Sequence, residues 1–347
     1  MVAECPLPVS PPLSVAVSCR ACESAAGTCV RVREMMLGLR DEFDYFECSN
    51  CQALSLVTPP GDPVRYYPGD YYSFAEPLPP AASRRASWRD WVYRRRNVAQ
   101  LINRPLFWSL IARLRPRPAI ADLGRLFRHG NLRGPNARIL DVGCGSGRLL
   151  DRLAAIGFTN LWGVHPYISE ACERSGPVRI VRGDLAAVPP NSFDLIMFHH
   201  SLEHIEDQRR TFQSIRPLLA PGGTCLIRIP LAASDPWRRY STDWVDLDAP
   251  RHFVLHTPQS VELLADQSGL SVVATEFDSD AFTYWASDLY RRGVPLCEPS
   301  KLQHRDPSTF FTIAELREFE SWARQANETG TSGRGVFYLQ TATGGRS

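Results

Sequence analysis

From residue 134 onward the chain alternates short apolar runs with stretches whose apolar positions recur three or four residues apart. The runs Ile139-Leu140-Asp141-Val142, Leu161–Val164, Val178–Val181, Phe193–Phe198, Thr224–Pro230, Val272–Thr275 and Val336–Leu339 are too short for helices and are bounded by turn residues. They read as strands, and the near-continuous apolar character of the central ones fits a sheet covered on both faces. Between them, Arg148–Ala155 has helical spacing, Thr257-Pro258 opens a helix through Leu264, and Thr312-x-x-Glu315 is a capping box leading toward Ala326. The pattern predicts an α/β, doubly wound, mostly parallel seven-stranded sheet over 134–347, interrupted by insertions at 231–256 and 282–333. The first insertion reads as irregular and carries Trp237, Trp244, Asp246, Asp248, Arg251, His252 and His256; long loops of this kind are more often functional than idle. Both insertions are expected near the carboxyl edge of the sheet, the one from Phe282 to Gly333 roofing the acceptor site.

The N-terminal third has a different rhythm. Thr28–Val32 and Phe43–Phe46 read as a hairpin between two C-x-x-C knuckles, Cys19-Arg20-Ala21-Cys22 and Cys48-Ser49-Asn50-Cys51. Four thiolates close a tetrahedron round zinc without leaving an open position, so residues 1–58 read as a structural zinc ribbon with Cys19, Cys22, Cys48 and Cys51 as ligands. Cys5 and Cys29 are spares that could replace one of them. Residues 59–133 form a connector, first aromatic (Arg65-Tyr66-Tyr67-Pro68-Gly69-Asp70-Tyr71-Tyr72-Ser73-Phe74), then a proline-rich linker Glu76 to Ser83, then helical and dense in arginine from Ser87 to Leu114. The tyrosines either pack the ribbon onto the main domain or cover the mouth of the site. Arg84, Arg85, Arg89, Arg94, Arg95 and Arg96 could touch phosphates or an anionic membrane surface, although a solvated helix face is the commoner outcome.

Composition narrows the classes without choosing among them. Hydrophobic content of 44%, charged content of 22% and a net charge of +2 over 347 residues describe a globular chain with no strongly polyanionic partner. Met1 to Val17 lacks a basic, apolar leader pattern and no run is long enough to span a bilayer, so a cytoplasmic location is expected, with the ten cysteines as thiols or metal ligands rather than disulfides.

The chemistry centres on Asp141-Val142-Gly143-Cys144-Gly145-Ser146-Gly147, a strand running through a glycine turn into a helix, the geometry of a nucleotide-type cradle. A dinucleotide fingerprint needs a third glycine where Arg148 stands, which weakens that reading. The spacing Asp141-x-Gly143-x-Gly145-x-Gly147, together with Leu202-Glu203-His204-Ile205 and the turn Leu218–Gly223, resembles the class I S-adenosylmethionine (SAM) methyltransferases over residues 137–230. The resemblance implies a Rossmann-like sheet with an antiparallel last strand, SAM as cofactor, and cofactor contacts from Asp141, Gly143, Cys144, Gly145, Gly147, His165, Asp184, Leu185 and His199. His165 departs from the pattern, since a carboxylate usually ends the second strand and grips both ribose hydroxyls.

His200, Glu203 and His204 stand at i, i+3 and i+4, so a helix there would project all three from one face as the candidate catalytic group. His204 or His200 could act as general base for a hydroxyl. Alternatively, by similarity to ubiquinone-pathway and small-RNA O-methyltransferases, the segment could hold a divalent ion with His252 or His256 as a further ligand; or the histidines could simply shape the pocket wall. The layout also resembles bacterial methyltransferases of surface-glycan and natural-product sugar pathways, which implies a small-molecule or glycan acceptor methylated on a sugar hydroxyl. Ribosomal RNA methylation and a non-catalytic binding role are the alternatives; the ribbon's Glu23, Glu34, Asp41, Glu42, Asp44 and Glu47 argue against RNA.

Overall fold

The computed structural model describes residues 17–67, 88–102, 123–124, 127–130, 132–168, 177–297 and 304–342. Pro68 to Phe74, the linker Glu76 to Ser83, Arg84, Arg85, Cys5 and, of the stretch from Ser87 to Leu114 expected to be helical, Ser87 and residues 103–114 lie outside them.

Seven strands form one sheet: β4 (Arg138–Val142), β5 (Asn160–His165), β6 (Val178–Arg182), β7 (Phe193–His199), β8 (Leu219–Pro230), β10 (Leu270–Phe277) and β11 (Arg334–Thr341). The spatial order is β10-β11-β8-β7-β4-β5-β6. Every pairing from β8 through β6 is parallel, and β11 runs antiparallel to both its neighbours, as the family resemblance implies. Alternate side chains of the central strands divide between two cores. Ile139, Leu161, Leu195, Leu226 and Tyr338 face the helix Arg148–Ile156, which buries Leu150, Leu153 and Ile156 at a spacing of three. Leu140, Val164, Ile196, Phe198, Ile227 and Phe337 face the helices Gln208–Ile215 and Pro258–Gln267. Burial on both faces explains the uninterrupted apolar runs.

The helix starts are set locally. Pro258 follows the N-cap Thr257, which forms a reciprocal box with Ser260, and Thr312 forms the expected box with Glu315 before the helix Ile313–Thr329. Among the described residues, no helix is long and apolar enough to cross a membrane.

The ribbon hairpin is β1 (Gly27–Arg33) and β2 (Glu42–Cys48), joined by β3 (Leu54–Leu56). Its fourth strand comes from far along the chain: β9 (Val254–Leu255), inside the first insertion, pairs with β3. That insertion is more ordered than its sequence suggests, containing the helix Asp235–Tyr240, capped by Ser234, and two tight turns before β9. A third core joins Val32, Tyr45, Leu54 and Leu56 of the ribbon to Trp237, Trp244 and Leu247 of this insertion and to Tyr284, Trp285, Leu289 and Phe319 of the second. Ribbon and insertions thus share one apolar interior, while the ribbon's knuckles pack into the main sheet's second core.

Candidate functional site

The carboxyl ends of β4, β5, β6 and β7 bring Asp141, His165, Asp184 with Leu185, and His199 to one edge of the sheet. Asp141 is 4% exposed, and burial alone raises its carboxyl to about 7. The turn after it has left-handed backbone at Gly143, Gly145 and Gly147. At Gly143 a side chain is excluded twice over, by φ of +77° and because a Cβ would lie 2.5 Å from the Cβ of Ser201. Ser201 in turn donates to the Val142 carbonyl at 2.6 Å, so β4 and the segment after β7 are locked together beside the turn. Cys144 fills the space over Gly163 of β5, where a Cβ would meet its sulfur at 2.6 Å.

His165 accepts the Tyr167 backbone N–H at Nδ1, 3.1 Å away, and burial holds the ring below its ordinary pKa. The neutral ring then carries its hydrogen on Nε2 and presents a donor where a carboxylate would accept. Asp184 is exposed and caps the short turn Leu185–Ala187 by accepting from Ala186 N; Leu185 is buried beneath it.

The segment after β7 does not form the expected helix. His200 has left-handed backbone at φ +54°, and only Leu202–His204 makes a single tight turn. The three candidate catalytic residues consequently do not share one helical face. His200 and Glu203 still meet, with Nδ1 3.5 Å from Oε1, but His200 Nε2 faces Arg228 Nη1 at 2.5 Å. Arg228 is fixed by Asp278 at 2.7 Å and also lies 3.4 Å from His199 Nε2. Burial and then this guanidinium hold both histidines well below their ordinary pKa, so the lone pair that a base would use at His200 faces a cation.

His204 turns the other way, its Nδ1 2.9 Å from the Arg251 carbonyl and 3.3 Å from the Tyr67 hydroxyl. His252 is 4.7 Å from it, ring to ring, with Nδ1 2.7 Å from the Asp246 carbonyl. A carbonyl can only accept, so each ring carries its hydrogen on Nδ1 and keeps its Nε2 lone pair available as a ligand. Glu203 Oε2 is buried without a hydrogen-bond partner, and burial raises this carboxyl to about 8. One ligand atom from each of Glu203, His204 and His252 lies within 4.8 Å of the others. A buried carboxylate with one oxygen lacking a hydrogen-bond partner, clustered with two oriented imidazoles, is a donor set suited to a divalent cation. His256, the alternative ligand, is elsewhere: wholly buried, it bonds Ser260 at 2.9 Å and Gln208 at 3.0 Å. Gln208 donates to the Leu202 and Ile205 carbonyls and so supports the Glu203 turn from below.

The sulfurs of Cys19, Cys22, Cys48 and Cys51 also lie within 4.8 Å of one another, with Cys19–Cys51 and Cys22–Cys48 at 3.5 Å. Tetrahedral zinc with bonds of about 2.3 Å requires sulfur separations of about 3.8 Å, close to these. Cys29, expected as a spare thiol, is instead disulfide-bonded. Sequence reasoning missed Arg228, which sits on a strand like any edge polar residue, and Tyr45, whose hydroxyl donates to the His252 carbonyl at 2.7 Å. Tyr67 was visible only as one of many tyrosines.

The family model described as a methyltransferase domain matches residues 91–275. The chain is similar to a ubiquinone biosynthesis O-methyltransferase of Xanthomonas campestris pv. campestris, 29% identical over 140 residues, covering 37% of this chain and 57% of that protein. It is similar to a protein of the same name from Dinoroseobacter shibae, 26% identical over 219 residues, covering 58% of this chain and 81% of the other. The chain spans 57% of the length of the first of these relatives. Among solved structures, a SAM dependent methyltransferase from Archaeoglobus fulgidus aligns with a TM-score of 0.40 at 18% identity, covering 68% of this chain and 99% of that one.

Proposed function

This chain belongs to the methyltransferase domain family, and we propose that it transfers the methyl group of SAM to a hydroxyl of a small-molecule or glycan acceptor, with a divalent cation held by Glu203, His204 and His252. The observation that carries this reading is the unpartnered, buried Glu203 Oε2 beside two imidazoles whose Nδ1 atoms are committed to backbone carbonyls. When bound there, a divalent cation supplies Lewis acidity that lowers the pKa of the acceptor hydroxyl. The remaining work is positional, because methyl transfer from a sulfonium needs its nucleophile held in line at about 3–3.5 Å. Asp141 would meet the ammonium of SAM, the glycine turn would admit the cofactor to the backbone, and His200, anchored by Arg228, orients Glu203. Tyr67, against His204, borders the acceptor side.

A sugar hydroxyl is the acceptor we favour. The sequence layout supports it, and the acidic residues of the ribbon disfavour a phosphate backbone. We assign zinc to Cys19, Cys22, Cys48 and Cys51, in a closed site with a structural role. Fractionated lysate incubated with methyl-labelled SAM tests the function. Label is expected in glycosidase-sensitive material, lost on chelation and restored by Mg²⁺; label in nuclease-sensitive material, or transfer indifferent to chelation, would overturn it.

The donor at His165 gives a separate prediction. Aspartate there would accept from the ribose hydroxyls with a charged group, and SAM affinity measured by calorimetry is expected to tighten about tenfold. Unchanged affinity in His165→Asp would mean that the ribose is held elsewhere.

A further inference from the structure

The ribbon touches the Glu203, His204, His252 cluster through its backbone as well as its side chains. Tyr45, in the middle of β2 and fully buried, donates its hydroxyl to the His252 carbonyl at 2.7 Å. The next residue, Phe253, bridges two elements: its N–H donates to the Glu203 carbonyl at 2.7 Å, and its carbonyl accepts from Leu56 N of β3 at 2.8 Å. The ladder then continues through Ser55↔Val254 and Leu54↔Leu255 and ends where Thr257 donates to the carbonyl of Cys51 at 2.7 Å. One side of the cluster, His252, is therefore suspended between a cysteine knuckle and a ribbon tyrosine.

Two paired residues are too few for a strand pair to hold its own register. The ladder must be fixed at its ends. At one end is the knuckle, whose four sulfurs lie close enough together for a single ion to tie them. At the other is Tyr45, held in the shared apolar interior by its ring and aimed by its place on β2 opposite Leu56. A shift here moves the backbone that carries His252 and, through Phe253, the turn that carries Glu203.

We propose that the ribbon sets the geometry of the second cation site, with Tyr45 as the positioning residue, so that losing the ion from the cysteine site weakens cation binding by Glu203, His204 and His252. This rests on the reading of those residues as cation ligands given above. Removing a group that orients a ligand typically costs 10–100-fold in metal affinity.

The test uses the full-length, zinc-loaded protein, with Mn²⁺ as the probe ion, followed by calorimetry and by its electron paramagnetic resonance, and SAM affinity measured in parallel. Tyr45→Phe keeps the ring and removes the hydroxyl; Mn²⁺ affinity is expected to fall about 10–100-fold with SAM affinity within about twofold. Tyr284→Phe is the control, since it deletes another buried hydroxyl of the same interior, one bonded to Asp235 at 3.0 Å, and should leave Mn²⁺ affinity unchanged. Stripping zinc is expected to weaken Mn²⁺ at least as much as Tyr45→Phe. Wild-type Mn²⁺ affinity in Tyr45→Phe, or equal weakening in Tyr284→Phe, would overturn the positioning role alone. A wild-type protein that binds no Mn²⁺ would overturn the cation reading and this inference with it.

Discussion

Glutamine in place of Glu203 is expected to lower the rate of methyl transfer about 10³-fold, because Lewis-acid assistance is worth several kcal/mol and each 1.36 kcal/mol is a factor of ten. The substitution is nearly isosteric, so it leaves the packing of the turn intact and removes only the anionic ligand. SAM affinity should stay within about twofold, since the substitution leaves Asp141 and the glycine turn after β4 untouched. Stability should move in the opposite direction to activity. In the cation-free protein the carboxyl is raised from 4.5 to about 8 by burial. Its contribution is therefore fully present below pH 4.5 and lost as pH rises through 8, where the charge must be carried unpaired. Glutamine never takes up that charge, so without added cation Glu203→Gln should melt at or above the wild-type temperature at pH 8.5. Single-turnover assays and melting curves with and without Mg²⁺ check both halves. Activity within about threefold of wild type would remove Glu203 from the reaction altogether.

How much of this could be read from the chain follows the range of the interactions. The strand, turn and helix around Asp141, the boxes at Thr257 and Thr312, and the paired knuckles are written within a few consecutive residues, where periodicity and capping chemistry act. The sheet order follows once those elements are counted. What stayed hidden depends on residues distant in the chain. Val254 and Leu255 are too short a run to show a period, and only Leu54 and Ser55, two hundred positions earlier, make them a strand. The same pairing selects His252 over His256: four residues apart, both are buried imidazoles, but one ends against the Asp246 carbonyl and the other against Gln208. His200, Glu203 and His204 misled because their spacing is helical while the local backbone is not. Gly143 must admit Ser201, and that close approach together with Arg228 holds His200 in left-handed backbone and cuts the helix to one turn.

At the cofactor end, SAM is expected to bind about 10–30-fold more weakly at pH 5.5 than at pH 8, with Asp141 as the cause. In the unliganded protein burial raises this carboxyl from 3.8 to about 7. Its contribution to stability is fully present below pH 3.8 and disappears as pH rises through 7. At pH 8 the protein therefore carries a buried anion that it has not neutralised. A sulfonium donor with its ammonium group at Asp141 supplies the missing cation, so binding below pH 7 must first expel a proton and above pH 7 need not. Two readouts should agree. The calorimetric affinity should rise with pH and level off near 8, and the gain in melting temperature on adding SAM should grow over the same interval. Asp141→Asn removes the charge and keeps the shape; it should abolish the pH dependence and weaken binding at pH 8 by about 100-fold, in line with the 2–5 kcal/mol lost when one member of a buried charge pair is truncated. A pH slope that survives in Asp141→Asn would assign the titration to another group. A variant that binds SAM like the wild type at pH 8 would mean that the ammonium is met somewhere other than the end of β4, and the cofactor would then have to be placed afresh along this edge of the sheet.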